Sequence, residues 1–141
     1  MEEKIVGNFI IQIAGKPVEN VEKALDVVLK KLKDEKKKFK VIEFEIGEPE
    51  LDEDTTLYSG FLDLKIKFNE VKELLNFVMD YTPNSIEIEE PTEIELDNGN
   101  LSDILNEVSG HILNNNLEVM KLRANVHVLN KQLLELKDKK G

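Results

Sequence analysis

The stretch LYSGFLDLKIKF (57–68) alternates apolar and polar side chains. Tyr58, Leu62, Leu64, Ile66 and Phe68 fall on one face, and Ser59, Asp63, Lys65 and Lys67 on the other. A period of two is that of a strand with one buried and one wet face. The run FKVIEFEI (39–46) also alternates and predicts a partner strand with Ile42, Phe44 and Ile46 inward. The two are joined by GEPELDEDTT (47–56), read as a turn-rich acidic connection. Paired as a hairpin, they place Glu43 and Glu45 opposite Lys65 and Lys67, and such cross-strand charges help to set register.

Working outward, IVGNFIIQIA (5–14) predicts another strand. Phe9, Ile11 and Ile13 share one face; Asn8, Ile10 and Gln12 share the other. Apolar residues on both faces point to a central strand. Gly15-Lys16-Pro17 ends it. Residues 18–38 predict a helix with Val21, Ala24, Leu25, Val28 and Leu32 on its buried stripe. Lys30, Lys31, Lys33, Lys36, Lys37 and Lys38 fall in its last turns, where cations suit the helix dipole. After residue 68, Asn69 is the expected N-cap of a helix over 70–81, with Val71, Leu74, Leu75 and Val78 inward. Thr82-Pro83-Asn84 stops that helix. SIEIEE (85–90) predicts a short strand with Ile86 and Ile88 inward. Pro91 breaks it, and Glu93-Ile94-Glu95-Leu96 reads as a continuing edge segment.

The order strand, helix, strand, strand, helix, strand is that of an α+β, ferredoxin-like βαββαβ sandwich, with an antiparallel sheet and two helices on one face. It accounts for residues 1–97. Within it, LLNFVMDYTPNSIEIEEPTEIEL (74–96) resembles the helix-turn-strand-"EP" ending of the C-terminal extension of WYL-type bacterial regulators. The resemblance spans about 23 residues and implies the local fold only, because the DNA-binding domain of that family has no counterpart in this chain.

Residues 98–141 form a second segment. Asp97-Asn98-Gly99-Asn100 reads as a turn, and 101–138 hold no Pro and one Gly. Heptad position a is filled by Leu105, Ile112, Val119, Val126 and Leu133, and position d by Leu101, Val108, Asn115, Leu122, Leu129 and Leu136. Only Asn115 in this seam is not aliphatic, which is a coiled-coil pattern. A second stripe of Leu113, Leu117, Met120, Ala124 and Leu134 lies on roughly the opposite side. As one rod, residues 101–138 run about 57 Å at 1.5 Å per residue. A domain of a hundred residues has a radius of gyration near ~13 Å. The rod would overhang its own domain, and the uncovered apolar stripe predicts a homo-oligomer, a dimer first, with Asn115 fixing register. Ser109-Gly110 and Asn114-Asn115-Asn116 are weak helix formers, so a hairpin of two shorter helices is the alternative geometry.

Charge and composition exclude more than they identify. The 141 residues carry 29 acidic and 19 basic side chains, a net charge of −10. Residues 1–42 hold ten Lys and seven acids, residues 43–100 three Lys and seventeen acids, and residues 101–141 six basic side chains and five acids. The middle segment repels polyphosphate, and Arg123 is the only Arg, so nucleic acid is not an expected partner. The RNA-binding version of this topology also needs exposed aromatics on the sheet, where this chain places polar residues. With no Cys there is no disulfide, thiolate nucleophile or zinc-thiolate site. The N-terminus lacks a signal-peptide pattern, and no apolar run approaches a membrane span, so the reading is cytoplasmic with no membrane partner.

No catalytic apparatus emerges. No Ser lies in a G-x-S-x-G elbow, and there is no H-E-x-x-H, G-x-G-x-x-G or P-loop. His111 and His127 lie sixteen residues apart on the long helix, about 24 Å, too far to share a metal. Asp52, Asp54 and Thr56 fit the first positions of a calcium loop, but Leu57 stands where Gly is needed and Asp63 where Glu is needed. Glu43 with Glu45, and Glu87 with Glu89, fall on the solvent face of strands with no pocket implied. No catalytic, cofactor-binding or metal-ligating residue is therefore assigned. The expected function is a non-enzymatic, self-associating interaction or scaffold protein. The alternative is a small-molecule-sensing regulatory module. The topology resembles that of ACT-type domains, and this implies a ligand near the Gly15-Lys16 connection, with Lys16 and Asn20 beside it.

Overall fold

The computed structural model describes residues 4–35 and 38–140. The chain divides into two compact units, Met1–Glu95 and Leu96–Gly141. The first is α+β. Its elements are β1 (Ile5–Gly15), α1 (Val18–Asp34), β2 (Phe39–Ile46), β3 (Glu50–Asp52), β4 (Leu57–Phe68), α2 (Val71–Tyr81) and β5 (Ser85–Glu90). The second consists of one helix, α3 (Asn98–Lys140).

The strands form one antiparallel sheet in the order β2-β4-β1-β5, with β3 also pairing β4. The stretch 57–68 is the organising strand. It runs beside β1 from Ile5 opposite Phe68 to Gly15 opposite Tyr58. On its other side it pairs first with β3, at Leu57 to Ser59, and then with β2, from Leu62 onward. The short β3 lies within the connection read from sequence as turn alone.

Alternation along β1 and β4 delivers Ile5, Phe9, Ile11, Leu62, Leu64, Ile66 and Phe68 to one face, all buried. Val21, Leu25, Leu29 and Leu32 of α1 and Phe77 of α2 join the same core, so both helices cover that face. Phe77 is the centre of an aromatic group. Its ring lies 4.8 Å from Phe9, 5.5 Å from Phe39, 5.7 Å from Phe68 and 5.2 Å from Tyr81, centre to centre. Edge and stacked pairs of this kind add stability beyond the area they bury. Of the positions expected inward on α2, Val71, Leu74 and Val78 pack on the core, whereas Leu75 is not among them. Phe77 and Tyr81 take the larger share.

Strand β2 departs from the expected pattern. Phe39 and Val41 lie opposite Phe68 and Ile66, and the register shifts between Val41 and Glu43. Ile42 is the extra residue of this bulge and is exposed rather than inward. The bulge reverses the alternation, so Phe44 and Ile46 come to lie opposite Leu64 and Leu62. They have the core-side orientation, but on an outer strand they remain 47% and 39% exposed. Glu43 does lie opposite Lys65. Glu45, however, faces Asp63, and Lys67 faces Lys40. With Glu43 against Lys65, antiparallel order brings Asp63 to Glu45, so the second charge pair does not form.

The helix ends depart from the sequence expectation more than the helix bodies do. The described part of α1 ends at Asp34; Lys36 and Lys37 lie outside the described residues. Asn69 is not the N-cap of α2. That position is Glu70, with no side-chain cap bond, and the Asn69 amide instead donates to Glu73 Oε2 at 2.9 Å. Thr82 ends α2 in the left-handed region, φ 42°, its amide donating to the Val78 carbonyl at 2.9 Å. Residues 93–96, expected to extend the edge, form no strand.

Candidate functional site

Two surfaces carry the features singled out by sequence: the helix α3 and the open face of the sheet.

Helix α3 runs unbroken for 43 residues, about 64 Å at 1.5 Å per residue. It passes straight through Ser109-Gly110 and Asn114-Asn115-Asn116, so the hairpin alternative is not adopted. The supposed turn at 97–100 is its N-terminus. Asp97 accepts from the Asn100 amide through Oδ1 at 2.7 Å, from the Asn100 side chain through Oδ2 at 3.1 Å, and from the Leu101 amide through its carbonyl at 3.0 Å. An Asp there satisfies amides that a helix start leaves without partners. Three Lys in the last turn, Lys137, Lys139 and Lys140, complement the other end of the dipole.

None of the described residues of α3 is buried. The expected seam of Leu101, Leu105, Val108, Ile112, Asn115, Val119, Leu122, Val126, Leu129, Leu133 and Leu136 lies along it. Val108 is half-buried and the rest are exposed, the aliphatic ones from 43% at Leu101 to 61% at Leu122. Leu113, Leu117, Met120 and Leu134 of the second stripe are exposed to similar degrees. Arg123, His111 and His127 stand on the same helix, with Lys121 and Glu118 forming an ion pair at 3.7 Å.

The open sheet face is polar and mostly acidic. Ile10, Glu43, Glu45, Asp63, Lys65 and Glu87 line a shallow trough of about 450 Å³. At its margin Glu89 accepts from the Asn8 side chain and pairs with Lys65 at 3.2 Å. These contacts hold the Glu89 carboxyl below its usual range, the Asn8 bond foremost, and hold the Lys65 ammonium above its own, mainly through Glu89. Phe61 is exposed on this sheet. Asn84 ties the start of β5 to β1: its amide donates to the Ile10 carbonyl at 2.7 Å, and its side chain exchanges bonds of 3.1 and 3.0 Å with Gln12.

The remaining candidate positions serve local structure. Asp52 Oδ1 accepts from the Asp54 amide at 3.0 Å, and the Asp52 carbonyl from the Thr56 amide at 2.8 Å, which closes the β3–β4 turn. No group of His, Asp and Glu among the described residues is arranged to hold a metal ion. Lys16 offers its carbonyl to the Asn20 side chain at 3.4 Å, within the β1–α1 connection. Among the described residues, no helix is long and apolar enough to cross a membrane.

The architecture and these surfaces define an α+β protein with an antiparallel five-stranded sheet and a long, exposed C-terminal helix. The chain belongs to the MJ0538 family, whose model matches residues 7–141. No curated protein and no solved structure matches it.

Proposed function

We propose that this protein is a non-enzymatic interaction or scaffold module that self-associates through α3, first as a dimer, and displays the acidic sheet face. One observation carries the reading. Helix α3 is 43 residues long, yet buries none of its described residues, although its seam is aliphatic at every position but Asn115. An apolar stripe of that length in water is strongly favoured to find a cover. A stripe repeating every seven residues drifts around a straight helix, which favours a supercoiled partner helix of the same kind. Asn115 in the seam favours one register and one oligomer order.

The first unit is read here as a ferredoxin-like sandwich. The strand order, the antiparallel pairings and the two helices on one face support that reading. In this view the sheet domain supplies the recognition surface and α3 multiplies it.

Sedimentation equilibrium on the full chain tests the proposal. The full chain is expected to be oligomeric at micromolar concentration, and the Leu122→Glu/Leu129→Glu double variant to raise the dissociation constant at least a hundredfold. A full-length monomer at ~50 µM overturns it.

A further inference from the structure

A sheet edge presents a row of unpaired amides and carbonyls, and proteins commonly blunt it with charge or Pro. The two edges of this sheet differ. Edge strand β5 is short, carries Glu87, Glu89 and Glu90, and is followed by Pro91. Edge strand β2 has eight residues and no Pro, its charges Lys40, Glu43 and Glu45 are of both signs, and it exposes Ile42, Phe44 and Ile46.

The bulge in β2 gives this edge a particular self-complementarity. Phe39 and Val41 before it, and Phe44 and Ile46 after it, all lie opposite core-facing residues of β4. Lys40, Glu43 and Glu45 lie opposite Lys67, Lys65 and Asp63 and share the open face. Two copies paired antiparallel about a two-fold axis normal to the sheet must match residues from the same side. In a regular strand, that forces a register centred on a residue. The bulge at Ile42 reverses the alternation and permits instead a register centred between Ile42 and Glu43. That register uses the whole strand. It sets Phe39 against Ile46 and Val41 against Phe44 on the core side, and Lys40 against Glu45 on the open side, each pair occurring twice.

We propose that β2 is a homotypic docking edge, through which a second copy of this chain adds antiparallel in that register to make one continuous sheet. The opposite charges of Lys40 and Glu45 and the matched apolar pairs select a second copy as the occupant. This surface is distinct from the α3 seam, and the two are separable by experiment.

The absence of Cys makes the test clean. Lys40→Cys and Glu45→Cys are each placed in the Leu122→Glu/Leu129→Glu background, so that α3 does not contribute, and oxidised separately and mixed. The mixture is expected to form the disulfide-linked dimer at least tenfold faster than either variant alone. Positions 40 and 45 of facing chains are then neighbours. Two copies of position 40 stand about 17 Å apart at ~3.4 Å per residue, beyond the ~7 Å reach of a disulfide. No enrichment in the mixture, or equal linking by Lys40→Cys alone, overturns the proposal. Charge reversal gives a second readout in the same background, with circular dichroism verifying the fold. Glu45→Lys is expected to weaken dimerisation at least threefold, and Lys40→Glu/Glu45→Lys to restore it. A double variant no stronger than Glu45→Lys also overturns the proposal.

Discussion

The Tyr81 hydroxyl donates to Glu35 Oε2 at 2.7 Å, joining the C-terminal ends of α2 and α1 across 46 positions of sequence. The Tyr81 ring also stacks on Phe77, and Lys31 Nζ lies 5.6 Å from its centre. The contact therefore fastens both helices to each other at the aromatic end of the core. Burial, and then the Glu35 carboxylate, push the Tyr81 phenol well above its ordinary 10.0, because both disfavour a phenolate.

A pKa raised on folding contributes stability that is present below the unfolded value and lost as pH rises through the folded one. Tyr81→Phe is expected to lose about 1 kcal/mol at neutral pH, the net worth of such a hydrogen bond. The gap between the two proteins should then narrow above pH ~10, where the unfolded phenol ionises. Urea unfolding at pH 7 and pH 11 checks this; a gap that stays constant refutes the assignment.

Glu89 gives the opposite sign. Its carboxyl is held below the ordinary 4.5 by the Asn8 bond and Lys65. Stability from a depressed carboxyl is present above the unfolded pKa and lost as pH falls through the folded one. A side-chain carbon NMR titration should place the Glu89 midpoint below 4.5. Asn8→Ala and Lys65→Met should each move it up. Equal midpoints in all three proteins would remove the network.

At Gly60 of β4, side chains of α1 lie directly against the sheet. A Cβ there would stand 2.7 Å from Leu25 Cδ1 and 3.0 Å from Val21 Cγ1. Val21 and Leu25 are fully buried and have little room to move. Gly60→Ala is expected to destabilise by about 1–3 kcal/mol, the usual range for overpacking. Phe77→Ala, which empties the centre of the aromatic group, should lose about 3–5 kcal/mol. Chemical denaturation of both variants measures the order. A Gly60→Ala protein as stable as the parent would mean that α1 stands off from the strand.

What was legible in the sequence was whatever periodicity records. Alternation placed 5–14 and 57–68 as strands with the correct faces, because their ladders are regular over ten residues or more. It misplaced Ile42, because one extra residue reverses a period-two pattern and the composition of FKVIEFEI gives no sign of where it falls. Only one of the two expected charge pairs forms, because antiparallel order sets Asp63 against Glu45 once Glu43 faces Lys65. Phe77 and Tyr81 do not stand out in the sequence because a stripe of Val and Leu on α2 suffices for a periodic face, whereas the rings that Phe77 meets, Phe9, Phe39 and Phe68, come from three different strands. The continuity of α3 and the exposure of its aliphatic heptad positions follow from the sequence pattern, whereas what covers them is not a property of one chain's periodicity.

The continuity of α3 offers the last test. Gly110 lies within the helix, and an added Cβ would meet nothing within 4 Å. Gly in an exposed helix interior is about 1 kcal/mol less favourable than Ala. If the helix is continuous in solution, Gly110→Ala should raise the thermal midpoint and slow hydrogen exchange on both sides of residue 110. A hairpin at this point would require non-helical backbone there, so Ala would lower the midpoint or leave it unchanged. The sign of the shift thus separates the two geometries. Exchange rates from 105 to 118 locate the effect on α3 rather than on the sheet domain.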